Sequence, residues 1–180
     1  MKLEAFYWPA GTRRLQAPFS LAYGALATSK DLSLLPLVYR WKPHSLPNHL
    51  NLETYNASFM TEPQSSKVPG VTTIQYLGPG LGFNGVDGRD PRGLVHTGVL
   101  SALLDDVTAR VSLSNTPDKP AFTANFKLEY LHPVAVDSFV VLDAWVTKVD
   151  GRKTFIASYI ADAITQQVLV KAESLFVCAV

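Results

Sequence analysis

The sequence predicts an α+β fold in which an antiparallel sheet packs around one long central helix. Three observations predict this fold class. Residues 92–110 repeat their apolar side chains with the period of a helix, and no comparable run occurs elsewhere in the chain. At least one strand-like stretch precedes this run. Four further stretches follow it without the alternation of strands and helices that would indicate a parallel sheet.

The bulk properties favour a single domain that binds small molecules or proteins. The chain has 180 residues, 47% of them hydrophobic, which is enough for one sizeable core. Its formal net charge is +1 and only 17% of its residues are charged, which argues against nucleic-acid binding through phosphate neutralisation. Cys178 is the single cysteine and is expected as a buried thiol in the last strand. No apolar run approaches the roughly 18 residues that span a bilayer, so no membrane span is expected.

The chain divides into an extension and a folded domain. Residues 1–69 hold most of the prolines and show no sustained period, so we interpret them as a partly ordered N-terminal extension, with a short helix near 20–40. Residues 70–180 form the domain. The basic start weakly suggests a mitochondrial targeting segment, although Pro9 and Pro18 interrupt the helix that such a segment needs. The expected location is the cytoplasm or the mitochondrion.

A glycine-rich loop precedes the helix. Residues 71–77 alternate as a strand, and residues 78–88 contain five glycines. Gly80, Gly82 and Gly85 match the spacing of a dinucleotide-binding motif, but they do not open a helix and no βαβ unit follows. We therefore interpret this segment as a flexible loop that covers a substrate.

The helical run has two different faces. A stripe of small side chains carries one carboxylate, Asp105, and allows another molecule to approach closely. Asp106 is expected on a solvated surface, where Arg110 at i+4 can pair with it. The opposite stripe is expected to face the core and consists of Leu100, Leu103, Leu104, Val107 and Val111.

The start of the helix is a candidate anion site. The helix is expected to begin near His96 or Thr97, with Thr97 as a possible N-cap. The unpaired N–H groups of a first turn attract oxyanions. Together with a carboxylate two turns further on, they suit acyl transfer, in which one group handles water and the other holds the developing negative charge.

The stretches after the helix predict four strands. Residues 121–131 alternate, so that Thr123, Asn125, Lys127 and Glu129 are expected on one face and Phe122, Phe126, Leu128 and Tyr130 on the other. Residues 139–149 and 154–164 are joined by Asp150 and Gly151, a dipeptide that favours a tight hairpin. Residues 168–180 complete the sheet.

Several of these segments resemble one protein family. The segments are GLVHTG with two aspartates at 105 and 106, AFTANFKLEYLHPV, KVDGRK and AESLFV. They resemble the hotdog-fold acyl-CoA thioesterases, and among these the mitochondrial enzymes of the carboxyl-terminal modulator protein type and their fungal relatives. The resemblance covers residues 70–180. It implies a hotdog fold, hydrolysis of an acyl thioester in fatty acid metabolism, and coenzyme A as part of the substrate rather than as a cofactor.

The resemblance also implies roles for individual residues. Asp105, nine residues after His96, matches the acidic group that acts as a general base on water or as a nucleophile. Thr97 replaces the first glycine of the usual His-Gly-Gly motif, and the N–H groups of Thr97 and Gly98 would hold the oxyanion. Thr123 matches a threonine that helps to position water, and His96 would have an orienting role. In this fold the helix start faces the partner's strand, so a homodimer or a dimer of dimers is expected.

Five further residues are candidates for substrate binding. Lys148, Arg152 and Lys153 flank the Asp-Gly turn and could meet the phosphates of coenzyme A, although basic hairpin tips are usually only solvated. Ser101 and Asn125 complete the set. His44 and His49 lie among prolines without a carboxylate or cysteine cluster, so no metal site is expected.

Other functions remain open at this stage. The altered His-Thr-Gly motif is compatible with an acyl-binding or regulatory module that does not turn over its ligand. A third possibility is a thioesterase that releases fatty or polyketide chains from a carrier protein. A serine hydrolase is not supported because the chain has no G-x-S-x-G motif.

Overall fold

The computed structural model describes residues 4–5, 37–40, 70–83, 93–116 and 120–179. In chain order these residues form β1 (Glu4–Ala5), β2 (Leu37–Arg40), β3 (Gly70–Leu77), a 3₁₀ turn (Pro79–Leu81), β4 (Gly82–Phe83), β5 (Leu94–Val95), α1 (Thr97–Asn115), β6 (Ala121–Tyr130), β7 (Ser138–Asp150), β8 (Lys153–Asp162) and β9 (Val168–Cys178).

The described residues form one large antiparallel sheet, a short two-stranded ribbon and one α-helix. Within the described residues, seven strands pair in the order β1-β2-β3-β7-β8-β9-β6, while β4 and β5 form a separate two-stranded ribbon. The helix α1 packs on one face of the large sheet, where it contacts β3, β7, β8, β9 and β6. The predicted α+β fold is therefore confirmed.

The core lies between α1 and the sheet. All five side chains of the predicted apolar stripe are at most 2% exposed. They pack against inward-facing residues of the central strands, among them Leu142, Ile156 and Val170. Burying each such aliphatic side chain contributes about 2 kcal/mol, so this one stripe contributes roughly 10 kcal/mol of hydrophobic stabilisation. The helix continues five residues beyond the predicted run, from Arg110 to Asn115.

The opposite face of the sheet carries a second, smaller cluster. Trp145, Tyr159 and their apolar neighbours form it. Asp143 is fully buried in the same region and accepts hydrogen bonds from the hydroxyl groups of Thr72 and Tyr159. These two donors compensate for the loss of water around the carboxylate.

A bulge in β6 corrects the predicted faces of that strand. Thr123 pairs with Phe176, but Asn125 pairs with the adjacent Leu175, so that Ala124 is the extra residue. Thr123 consequently lies on the helix-facing side together with Phe126, Leu128 and Tyr130, and Asn125 points to the other face. The prediction that Thr123 and Asn125 share a face is wrong because an extra residue reverses the alternation.

The described parts of the N-terminal region and the glycine-rich loop also differ from expectation. Residues 37–40 form a strand that pairs with β3, which contradicts a helix at that position. The remainder of the expected helix near 20–40 lies outside the described residues, as do His44 and His49. The first part of the glycine-rich loop is not a free loop, because β4 pairs with β5 in front of the helix. Residues 84–92 are outside the described part.

The hairpin between β7 and β8 has the predicted position. Asp150 pairs with Lys153, and Gly151 in the turn has a φ of 56°, a conformation that glycine adopts without strain. Strand β8 ends at Asp162, two residues before its predicted end. Cys178 is a buried free thiol at the end of β9, as expected.

Candidate active site

His96 is the N-cap of α1. Its backbone is extended, with φ −62° and ψ 133°, and its Nδ1 accepts a hydrogen bond of 3.0 Å from the N–H of Gly98. Thr97 is the first residue of the helix, so the prediction of Thr97 as the N-cap is wrong. A Cβ atom on Gly98 would lie 3.0 Å from this same Nδ1, so a side chain at this position would push the ring away by a few tenths of an ångström.

This cap changes the expected oxyanion hole. The N–H of Gly98 donates to His96 Nδ1, whereas the N–H of Thr97 has no hydrogen-bond partner among the described residues. The carbonyl of His96, in the same peptide group as the Thr97 N–H, accepts from Val99 at 2.9 Å and from Leu100 at 3.3 Å. Such bonds polarise a peptide group and strengthen its N–H as a donor. The donor that remains for an oxyanion is therefore the Thr97 N–H.

The segments on both sides hold this helix start in place. The N–H of His96 donates to Leu81 O at 3.1 Å, and the N–H of Val95 donates to Val134 O at 2.8 Å. Gly93 has a φ of 85°, which a residue with a side chain rarely adopts. Thr97 itself is not among the described residues with positive φ, so its Cβ atom fits the helix start without backbone strain.

Asp105 is paired with Thr123. The Thr123 hydroxyl donates to Asp105 Oδ1 at 2.9 Å, and Asp105 is half-buried on the small-residue face of α1. Within the described part of the chain, Asp105 Oδ2 has no hydrogen-bond partner. The carboxylate is thus oriented through one oxygen and can accept a proton at the other.

The neighbouring Asp106 has a structural role. Its Oδ2 accepts from Arg110 Nε at 2.6 Å, as the i+4 spacing predicts. Arg110 is only 8% exposed, however, so the expectation of a solvated surface is wrong for this side chain. The two adjacent aspartates therefore face different surroundings.

A group of hydroxyls at the helix start was missed by the sequence analysis. Ser101 Oγ donates to Thr97 O at 2.9 Å, and Tyr130 Oη lies 2.8 Å from Ser101 Oγ and 3.3 Å from Thr97 O. Tyr130 was assigned only to the apolar face of its strand. Its place on the same face as Phe126 and Leu128 was the available signal, because these residues pack against the core beside the helix.

The remaining predicted residues lie further from Asp105. Asn125 is on the sheet face opposite the helix, as the register of β6 requires. Phe176 on β9 pairs with Thr123 on one side and with Thr154 on the other. Thr154 follows Lys153, so the basic hairpin lies two strands away from Thr123, a distance of about 10 Å. The Nζ of Lys148 lies 3.7 Å from Oδ2 of Asp150, and Nη1 of Arg152 donates to the carbonyl of Cys178 at 3.5 Å.

The described residues contain no group of three or more histidine, cysteine, aspartate or glutamate side chains that could hold a metal ion. No helix among them is long and apolar enough to cross a membrane.

Part of the chain is similar to a known family and to known proteins. A model of the thioesterase superfamily matches residues 92–163, which include α1 with Asp105 and β6 with Thr123. MIOREX complex component 3 of Saccharomyces cerevisiae is 36% identical over 90 residues, which are 50% of this chain and 31% of that protein. Acyl-coenzyme A thioesterase THEM4 of Mus musculus is 29% identical over 105 residues, which are 58% of this chain and 42% of that protein. The chain therefore spans less than half the length of both relatives.

Solved structures support the fold. The Lactococcus lactis protein yhdA superposes with a TM-score of 0.54 at 16% identity, over 63% of this chain and 81% of that one. A thioesterase superfamily protein at 28% identity superposes with a TM-score of 0.50, over 63% of this chain and 54% of that one. The fold and the site at the helix start define a hotdog-fold protein. The part of the chain that carries the candidate site, residues 92–163, matches the thioesterase superfamily.

Proposed function

We propose that the protein hydrolyses acyl thioesters, with Asp105 as the general base and the Thr97 N–H as the oxyanion donor. The hydrogen bond from Thr123 to Asp105 Oδ1 is the observation that carries this proposal, since it orients the carboxylate through one oxygen and leaves Oδ2 without a hydrogen-bond partner among the described residues. Water held at Oδ2 loses its proton to the carboxylate as it attacks the thioester carbonyl. The carbonyl oxygen becomes negative and is stabilised by the Thr97 N–H, and the thiolate then leaves.

Two copies of the chain are needed for this reaction. Asp105 follows Thr97 by eight residues, which is a rise of about 12 Å along a helix. Reacting groups must approach one carbonyl within about 3 Å. One chain therefore cannot supply both groups to the same thioester, and we infer that Asp105 of one protomer acts with Thr97 of its partner.

Strand β6 is the surface that we propose for the dimer. In the described part of the chain β6 pairs only with β9, so its other edge is available for a second copy. Phe122 and Tyr130 on this strand are 66% and 44% exposed, an unusual amount of aromatic surface on one strand. Pairing of two copies along β6 would cover these rings.

Coenzyme A is the proposed carrier of the acyl group. The mouse relative is named an acyl-coenzyme A thioesterase, and the basic hairpin with Lys148, Arg152 and Lys153 lies at the Thr123 end of the sheet, where it can meet phosphates. A carrier-protein thioester remains the alternative substrate. A non-catalytic acyl-binding or regulatory module also remains an alternative, and the unstrained backbone at Thr97 supports catalysis over it.

A substrate panel tests the proposal. Thiol release is measured with short, medium, long and aromatic acyl-CoAs, and with the same acyl groups on a phosphopantetheine carrier protein. The proposal predicts release from at least one acyl-CoA. Thiol release only from the carrier protein would show that the acyl carrier protein, and not coenzyme A, carries the acyl group of the substrate. Binding of acyl-CoA without thiol release from either carrier would contradict hydrolysis. The expected location is tested separately by fusing residues 1–69 to a fluorescent protein.

A further inference from the structure

Two hydroxyl groups brace the first turn of α1, and the reaction described above does not use them. Ser101 has a single hydroxyl proton, which points to Thr97 O at 2.9 Å. In the 2.8 Å contact between Ser101 Oγ and Tyr130 Oη, Tyr130 is therefore the donor. A chain of hydrogen bonds thus runs from the sheet through Tyr130 and Ser101 to the carbonyl of Thr97.

This chain ends on the residue that carries the oxyanion donor. The first turn of a helix lacks partners for its N–H groups and frays readily. The hydroxyl of Ser101, itself held by Tyr130, holds the carbonyl of Thr97, and the bond from Gly98 N–H to His96 Nδ1 holds the other side of the same peptide group. That peptide plane is joined to the His96–Thr97 plane through the two backbone torsions of Thr97, so holding it restricts these torsions and with them the direction of the Thr97 N–H.

Tyr130 is the only one of these groups that comes from outside the helix start. It is the last residue of β6 and pairs with Val170. At the other end of the helix-facing side of β6 is Thr123, which orients Asp105. One strand therefore carries the hydroxyl that orients the carboxylate and the hydroxyl that braces the oxyanion donor.

We propose that Tyr130, acting through Ser101, is a positioning residue that sets the direction of the Thr97 N–H for the transition state. This inference rests on the proposed hydrolysis. Tyr130 does not touch the reacting atoms, and its contribution depends on neither the acyl chain nor the thiol. A fixed donor stabilises charge that develops only in the transition state, so its loss lowers kcat and leaves KM unchanged.

Kinetics of Tyr130→Phe test the proposal. The variant keeps the ring and loses the donor, and kcat is expected to fall roughly tenfold with unchanged KM, by the same factor for every substrate that is hydrolysed. Ser101→Ala is expected to act in the same direction, and the double variant to lose no more than about the larger single loss, because both residues belong to one network. Ser101→Thr keeps the hydroxyl and is expected to lose less activity than Ser101→Ala. Tyr76→Phe, which loses a 2.5 Å bond to Asp137 away from this site, is the matched control.

A change in KM alone, or a factor that varies with the thiol or acyl group, would show that Tyr130 contacts substrate and would overturn the positioning role. Unchanged kinetics would overturn it too.

Amide hydrogen exchange of the free protein separates this proposal from the proposed function. Tyr130→Phe is expected to accelerate exchange roughly tenfold at Gly98 and Ser101, as in local fraying, and to leave exchange near Val111 unchanged. Equal exchange in wild type and variant contradicts the brace whether or not any thioester is hydrolysed. Faster exchange at the helix start, in a protein that releases no thiol, supports the brace and contradicts only the hydrolysis.

Discussion

The hydroxyl of Thr123 donates to Oδ1 of Asp105 at 2.9 Å, across the gap between β6 and α1. The bond exists because the bulge at Ala124 turns Thr123 towards the helix. It fixes one oxygen of the carboxylate and leaves the other for a proton. Each of the following predictions depends on a contact of this kind.

Replacement of Thr123 by valine tests the orientation of Asp105. The shape of the side chain is kept and the donor is lost, so kcat for thioester hydrolysis is expected to fall roughly tenfold. Thr123→Ser retains the hydroxyl and should restore most of the rate. Steady-state kinetics of the three proteins decide the matter, and equal rates for the valine and serine variants would show that the hydroxyl has no role.

Replacement of Thr97 by proline tests the oxyanion donor. Proline removes the N–H but suits the first position of a helix, and the extended backbone of His96 is the conformation that a residue before proline prefers. The variant should fold normally and lose roughly two to three orders of magnitude in kcat. Thr97→Ala keeps the N–H and is the control. A proline variant as active as the alanine variant would place the oxyanion elsewhere.

A mixture of two inactive variants tests the shared site. Thr97→Pro and Asp105→Asn, when unfolded and refolded together, form mixed dimers in which one of the two sites has both groups intact. Activity per chain should recover to about a quarter of the wild-type value, since half of randomly formed dimers are mixed. If the two variants stay inactive in the mixture while each is dimeric alone, both groups act within one protomer.

The pH dependence of stability is predicted at the turn between β8 and β9. The backbone N–H groups of Thr165 and Ile164 donate to Asp162 Oδ1 at 2.7 and 2.9 Å, and chiefly the bond from Thr165 holds the pKa of Asp162 below its ordinary value. Asp162→Ala should lower the free energy of unfolding by about 1 kcal/mol near pH 7.

The sign follows from the lowered pKa. The carboxylate contributes stability above the pKa of the unfolded chain, and this contribution is lost as the pH falls through the pKa of the folded protein. Urea denaturation should therefore show a difference between wild type and Asp162→Ala that narrows as the pH falls below the ordinary pKa of an aspartate, about 4. The exposed Asp150, replaced by alanine, is the control. A difference that stays constant with pH would mean that the charge of Asp162 does not stabilise the turn.

The sequence predicted the features that a simple repeat encodes. The stripe from Leu100 to Val111 follows the helical period and is buried as expected, and the Asp-Gly turn forms its hairpin. The prediction of the face of β6 on which Thr123 lies was wrong, because an alternating sequence pattern does not reveal a bulge. The roles of His96 and Tyr130 depend on how a ring folds back on the chain and on which helix residue a strand end meets, which no local pattern records.

The most direct test of the account compares Asp105→Asn with Asp106→Asn in thiol release from the best acyl-CoA substrate. Both variants remove one carboxylate charge from the same helix, but only Asp105 faces the small-residue surface with Thr123. The account predicts that Asp105→Asn lowers kcat by at least about two orders of magnitude while Asp106→Asn stays close to the wild type. An Asp105→Asn protein that releases thiol at the wild-type rate would contradict the proposed mechanism.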